Sequence, residues 1–511
     1  MEPPQHDDAA ASGLRLRVAR GLTWTLVDTW GRQILNFAVF VVLARLVSVD
    51  EIGLVALATV FVGFAQLVVD QGLGDALIQR RQVDREHMDT AFWVAVATGT
   101  TLTLLGVVLA VPLSAVPQKP NLTPILQVLS ITFLLSALSS IQIAILRRTL
   151  AFRSLAIRAL VAALGGGVIG IVLAFMGWGA WALVGQQIGA AVFSVLTLWG
   201  VSDWRPGFTF SRPHFRELFG FGMHVTGSDI LNFLSRNVDN LLVGAVLGDT
   251  ALGLYSVAYR ILNITQVMLI NVARKLAFPA LSRLQHDPPR LARAYLRLNW
   301  VGSVAIMPGY IGLALVAPEL IVLLFGAKYA EAGIVASILF LIGPVLTLQA
   351  FSGALLNAAG HPNVVFRFRL ITTLTSVIGF AIAVSFGIVW VAAAFVIRGY
   401  LLLPLNLYWV RKYAAVPVAA YVRQLRGVFL ATAAMVAVVL VLRLLLPSDM
   451  ARSAFLAIEV VAGALTFAAV VFLLERPLIT ELLHVARMLL PGRRRGVEVL
   501  AADDDAELAG P

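Results

Sequence analysis

Residues 34–53, ILNFAVFVVLARLVSVDEIG, and residues 230–253, ILNFLSRNVDNLLVGAVLGDTALG, decide how this chain is read. Each opens on the same Ile-Leu-Asn-Phe tetrad and closes on a glycine that precedes leucine, Gly53-Leu54 and Gly253-Leu254. Ala76-Leu77 and Ala280-Leu281 then follow in the same order. An apolar tetrad recurs by chance, but shared order and spacing are the mark of an internal repeat.

On both sides of these stretches, apolar runs bounded by charge, proline and glycine succeed one another. They predict helices near residues 21–47, 52–74, 89–115, 122–146, 155–176 and 178–200, then 217–247, 250–273, 298–325, 332–358, 366–386 and 388–410. A final pair is predicted near 426–446 and 452–474, about fourteen in all. Of the 511 residues 59% are hydrophobic and 13% charged, against about 25% charged in a soluble protein. The mean hydropathy is +0.88. That excess cannot be hidden in a core of this size, and a spanning helix needs roughly 20 mostly apolar residues. The fold class expected is therefore all-α, a polytopic membrane protein.

The distribution of charge supports this topology. With the N-terminus in the cytoplasm, the 39 Lys and Arg residues divide into about 30 cytoplasmic, 5 external and 4 within helices, as the excess of cytoplasmic basic residues requires. The cytoplasmic set includes Arg80, Arg81, Arg147, Arg148, Arg153, Arg274 and Arg493 to Arg495; the external set is Arg45, Lys119, Lys328, Arg443 and Arg452. A net charge of +11 spread over alternate loops is membrane orientation and argues against a nucleic-acid partner. The first apolar run is too long for a signal peptide and is expected to be retained.

The repeat unit equals six helices, an even number, so both halves enter from one side about an axis along the membrane normal. The division expected is a cytoplasmic tail at 1–20, an N-lobe at 21–205, a C-lobe at 206–412, two additional helices at 413–475 and a second tail at 476–511, with a central cavity between the lobes. The last tail ends in Asp503, Asp504 and Asp505 and is expected to be disordered.

Ionisable residues near mid-membrane invite a functional reading, because each costs about 2.5 to 3.5 kcal/mol on insertion scales. They are Asp28 and Arg32 on the first helix, Asp229, Arg236 and Asp239 on the seventh, Arg260 on the eighth and Arg398 on the twelfth. Asp28 with Arg32, and Arg236 with Asp239, have the spacing of intrahelical pairs that lower insertion cost. Arg260 and Arg398 have no acid within four residues and need another helix, water or an anionic ligand. The sharper reading has Arg32, Arg236, Arg260 and Arg398 line the cavity and bind a phosphate, since a guanidinium matches phosphate oxygens and stays charged when buried. Asp28 or Asp239 would then serve ion coupling.

Other chemistry finds little support. With no cysteine, thiol catalysis and disulfides are excluded. No GxxxxGK[ST] or HExxH pattern occurs, so neither an ATP motor of that kind nor a zinc site of that type is encoded, and no cofactor is expected. The segment 70–81, DQGLGDALIQRR, reads as a helix end with cytoplasmic charge, or as a hinge. Arg274 to Arg297 suggests an amphipathic surface helix. Gly166 with Gly170 and Gly185 with Gly189 have the spacing that lets membrane helices approach closely, and Pro308, Pro318 and Pro344 fall where broken backbone permits bending. The short external loops leave no room for the carboxylate-bearing lobe that an enzyme acting on lipid-linked sugars needs.

Three stretches carry a family resemblance: 21–28 leading into 39–53, then 72–81 (GLGDALIQRR), then 231–259 (LNFLSRNVDNLLVGAVLGDTALGLYSVAY). In these the chain resembles the Wzx-like polysaccharide flippases, in the colanic-acid-exporter-like branch of the multidrug/oligosaccharidyl-lipid/polysaccharide exporter superfamily. The resemblance implies two six-helix lobes around a cationic cavity in a bacterial cytoplasmic membrane, and the distribution of basic loops puts both termini in the cytoplasm. It implies export of undecaprenyl-diphosphate-linked oligosaccharide driven by an ion gradient. Membrane lipids and polysaccharide polymerase or export components would be the partners. The sibling alternatives are an ion-coupled multidrug exporter and a flippase for the peptidoglycan lipid precursor.

Overall fold

The computed structural model describes residues 27–70, 73–80, 83–115, 119–271, 281–447 and 450–476, with Trp24 and Ala277. The side chain of Asp229 and the acidic tail at Asp503 to Asp505 lie outside the described residues. Among the described residues there is no strand.

The helices are α1 (Arg32–Leu46, entered by a π-helical turn Val27–Gly31), α2 (Val49–Asp70), α3 (Leu73–Gln79), α4 (Arg85–Ala115), α5 (Leu122–Arg148), α6 (Phe152–Phe175), α7 (Ala180–Val201) and α8 (Arg212–Val246). They continue as α9 (Asp249–Gln266, leaving through a second π-helical turn Val267–Asn271), α10 (Pro288–Phe325), α11 (Ala327–Ala358), α12 (Pro362–Phe386), α13 (Ile388–Ala414), α14 (Val418–Leu445) and α15 (Arg452–Leu474). Eleven of these are long and apolar enough to cross a membrane. Those expected at 21–47, 217–247 and 250–273 are present as α1, α8 and α9 but are shorter or more polar, and with the turn that enters α1 they carry all the ionisable residues singled out above except Arg398, which lies on α13. Large apolar side chains face outward, as a bilayer solvent demands: Leu444 is 85% and Leu401 73% exposed.

Two sequence expectations take a different local form. The 70–81 stretch forms its own short helix, α3, whose Leu73, Ala76 and Leu77 are buried with Phe92 and Ile141. Arg148 fastens its end by donating to the Leu77 carbonyl at 2.8 Å. From Pro288 onward the predicted surface helix is instead the first part of the 38-residue α10. In α11 the backbone is interrupted at Leu341–Ile342, where Pro344 has no amide hydrogen to offer the Phe340 carbonyl.

The described residues fall into two compact units, one of Met1–Val272, Ala317–Ile342 and Pro362–Pro404, the other of Ala273–Val316, Gly343–His361 and Leu405–Pro511. In the first, α6 and α7 meet through the small residues noted in the sequence. A Cβ on Gly166 would stand 2.5 Å from the Gln186 carbonyl oxygen, and one on Gly189 would stand 3.3 Å from the Gly166 Cα. In the second, the Tyr421 hydroxyl donates to the Leu348 carbonyl. There Arg443 also donates to Glu459 at 2.6 Å, tying α14 to α15 through a fully buried carboxylate.

Candidate functional site: a polar cavity and the clasp that closes one end

Within the first unit, α1, α2, α7, α8 and α9 enclose a cavity of about 640 Å³. Each helix contributes a stripe at helical spacing. α1 supplies Gln33, Asn36 and Phe40; α8 supplies Phe233, Asn237 and Asn240; α9 supplies Ser256, Tyr259, Arg260 and Asn263. α2 adds Thr59 and α7 adds Gln186 and Gln187, and the Gln187 amide donates to the Thr59 hydroxyl at 3.3 Å. Positions three, four and seven apart share one face of a helix, so otherwise apolar segments present a wall of amides and hydroxyls. No carboxylate lines it among the described residues.

Of the four arginines expected to converge, the cavity wall takes Arg260 alone. Its guanidinium lies 4.0 Å from the centre of the Phe40 ring, a cation–π contact that offsets part of its desolvation. Arg32 is half exposed and stands 4.0 Å from Asp28 on its own helix. Arg236 is exposed and forms no ion pair with Asp239. Arg398 lies in a separate apolar groove between α12 and α13.

The two candidate acids differ. Asp239 is buried, and its oxygens accept from the Tyr255 hydroxyl and from the Asn240 backbone amide, each at 2.8 Å. It thus braces the wall from behind, since Asn240 and Tyr259 face the cavity and Tyr255 stacks on Tyr259. Asp28 sits in the π-helical turn with one buried oxygen that has no hydrogen-bond partner. It acts electrostatically on Arg158 of α6, whose Nη1 donates to Ser194 at 3.1 Å and whose Nε has no partner.

One end of this unit is clasped. Gly53 and Gly253, the paired glycines of the repeat, bring α2 and α9 into backbone contact: a Cβ on Gly53 would stand 1.8 Å from the Asp249 carbonyl oxygen, and one on Gly253 2.1 Å from that of Val49. Lys119 pairs with Asp249 and donates to the Gly244 carbonyl at 2.8 Å, and Thr250 bonds to Asp50. Helix ends that lack intrahelical acceptors' partners are capped reciprocally. Arg45 donates to the carbonyls of Leu323 at 2.6 Å and Leu324 at 2.7 Å, while Lys328 donates to that of Val47 at 2.6 Å and Tyr329 to that of Ala44 at 3.1 Å. Three of the five basic residues assigned to external loops thus serve the clasp.

Known proteins resemble this chain in sequence and in fold. The succinoglycan biosynthesis transport protein ExoT of Rhizobium meliloti is 27% identical over 93% of this chain and 96% of its own length. The teichuronic acid biosynthesis protein TuaB of Bacillus subtilis is 28% identical over 88% of this chain and 94% of its own. Among solved structures, the lipid II flippase MurJ in an inward closed conformation superposes with a TM-score of 0.73 at 16% identity, covering 90% of this chain and 100% of that one. An inward-facing multidrug resistance MATE family transporter of the MOP superfamily gives 0.60 at 17% identity, covering 75% and 94%. At such identities the structural likeness establishes the fold. Residues 42–334, more than half of the chain, match the family described as polysaccharide biosynthesis protein, and the chain belongs to that family.

Proposed function

We propose that this chain is a membrane transporter that flips undecaprenyl-diphosphate-linked oligosaccharide repeat units across the bacterial cytoplasmic membrane for surface polysaccharide assembly. The observation that carries this reading is the cavity wall. Amides and hydroxyls both donate and accept, as sugar hydroxyls do, and the single guanidinium of Arg260 suits a phosphate. A carrier of cationic drugs needs negative charge where its substrate binds, and the described lining offers none. The polysaccharide-related relatives favour the same choice over a peptidoglycan-precursor flippase.

The transport cycle follows as alternating access between lobes at 21–205 and 206–412, with helices 413–475 added outside them. With both termini cytoplasmic, as the basic loops favour, the clasp is the external gate and this conformation is closed to the outside. Opening the clasp releases the sugar outward; no bond is made or broken. Arg32 and Arg236, exposed beside lining residues on α1 and α8, would meet the diphosphate as it enters. Asp28, whose buried Oδ1 accepts no hydrogen bond, is the better candidate for ion coupling than Asp239. Polymerase or export components would receive the product.

Deleting the gene and sizing both surface polysaccharide and lipid-linked oligosaccharide tests the proposal. Loss of polymer with repeat units accumulating on lipid, restored by the wild-type gene but not by Arg260→Ala, supports it. Normal polymer with altered sensitivity to toxic cations transfers the chain to the drug-exporter reading.

A further inference from the structure

The groove that holds Arg398 is unlike the polar cavity. It runs between α12 and α13 with a volume of about 360 Å³ and is lined almost wholly by apolar groups. Phe386, Trp390 and Leu401 on its walls are 68%, 58% and 73% exposed, so it opens to the surroundings. Gly379 widens it, since a Cβ there would meet nothing within 4 Å. Arg398 is the single charged residue of its lining.

Arg398 follows Ile388, the first residue of α13, by ten residues, about 15 Å at 1.5 Å per residue. That is the middle of a hydrocarbon layer about 30 Å thick. There it bonds to Ser376, and its guanidinium lies 5.0 Å from the Phe395 ring and 5.9 Å from the Phe380 ring. Its Nε is buried with no hydrogen-bond partner. Asp239 is within electrostatic reach, but its two oxygens already accept from Tyr255 and Asn240. A resident phospholipid does not satisfy this arginine, because its phosphate stays at the interface about 15 Å away. Among membrane lipids, one whose phosphate is carried through the bilayer brings an anion to this depth.

The groove is also next to the cavity. Phe395, which touches Arg398, stands 6.4 Å from the ring of Tyr259, and Tyr259 faces the polar cavity. An aromatic wall therefore separates a polar compartment from an apolar one, with a mid-depth cation beside it. We propose that the α12–α13 groove holds the isoprenoid chain of a polyprenyl diphosphate-linked substrate while its sugar occupies the polar cavity, with Arg398 meeting the diphosphate as it passes. This rests on the lipid-linked-sugar reading given under Proposed function.

The test is photocrosslinking of the full-length protein in nanodiscs, using undecaprenyl diphosphate with a diazirine on its isoprenoid chain and, in parallel, a diazirine phosphatidylglycerol. The expected result is polyprenyl labelling of α12 and α13 that unlabelled undecaprenyl phosphate suppresses and phosphatidylglycerol does not. Gly379→Leu, which fills the groove, should lower it about tenfold. Arg398→Gln should raise the competitor concentration needed about tenfold. Size-exclusion chromatography checks that both variants fold, and competition on the wild type decides alone if they do not. Equal labelling of the groove by both lipids, or polyprenyl labelling confined to other helices, overturns the proposal while leaving the flippase reading intact. No specific polyprenyl labelling anywhere in the protein overturns both.

Discussion

Replacing Gly53 with alanine sets a methyl carbon 1.8 Å from the Asp249 carbonyl oxygen and 2.9 Å from the Gly253 nitrogen, where ordinary contact begins at 3.4 Å. The obstacle is backbone on a facing helix, so no rotamer change relieves it, and α2 and α9 must part by roughly 1.5 Å. Inserting a methyl group into such a contact costs about 1–3 kcal/mol. On the alternating-access proposal the contact is lost when the clasp opens, so that cost becomes a shift of about 5- to 150-fold toward the clasp-open state. The absence of cysteine makes the chain its own reporter background. Ser256→Cys, on the cavity wall, can be labelled in cells with a membrane-impermeant maleimide. Labelling from outside should be slow in the otherwise wild-type chain and faster by that factor with Gly53→Ala. Gly253→Ala should act alike, and the double variant should add less than the sum, since both methyls relieve themselves by one separation. Gly200→Ala, a helical glycine with nothing within 4 Å, is the control. A folded Gly53→Ala protein labelled no faster than the control would mean that the glycine crossing does not hold the clasp shut.

The other predictions concern single side chains. Arg260→Ala should lower export of lipid-linked repeat units at least about tenfold, with partial recovery in Arg260→Lys, which keeps the charge but not the planar fork; full export in the alanine variant removes Arg260 from the site. Lys119→Gln loses the pair with Asp249 and should speed external labelling of Ser256→Cys about fivefold, equivalent to about 1 kcal/mol; unchanged labelling makes the pair incidental. Arg443→Met leaves the Glu459 carboxylate buried and unpaired and should destabilise by about 3 kcal/mol, whereas the double variant with Glu459→Met should regain most of that. Thermal unfolding in detergent checks this, and equal losses in the single and double variants contradict it.

Much of this was legible in the sequence, and for identifiable reasons. Backbone must satisfy itself in lipid, so apolar runs bounded by charge marked the helices to within a few residues over most of the chain. The repeat around Gly53-Leu54 and Gly253-Leu254 pointed to the two positions that meet at the crossing of α2 and α9. Residue type alone does not say which way a helix is turned. That is why Arg398 reads like Arg260 in sequence yet lies in a different compartment. It is also why nothing in the sequence ties Arg158, near the start of α6, to Asp28, whose charge acts on it. The amides of the cavity wall are neutral, so the cost of burying charge does not mark them out. Their signal was present in the spacing of Gln33, Asn36 and Phe40, of Phe233, Asn237 and Asn240, and of Ser256, Arg260 and Asn263. The break in α11 needs more than Pro344, since Pro112 and Pro404 lie inside helices that continue.

Flipping itself can be measured. The purified protein is reconstituted into liposomes with a fluorescent undecaprenyl-diphosphate-linked oligosaccharide, and the fraction accessible to an external glycosidase or quencher is followed over time. Wild-type protein should carry the inner-leaflet pool outward, and Arg260→Ala should do so at least about tenfold more slowly. An inner pool that stays protected at the rate of protein-free liposomes, under an imposed proton or sodium gradient as well as without one, would contradict the flippase proposal.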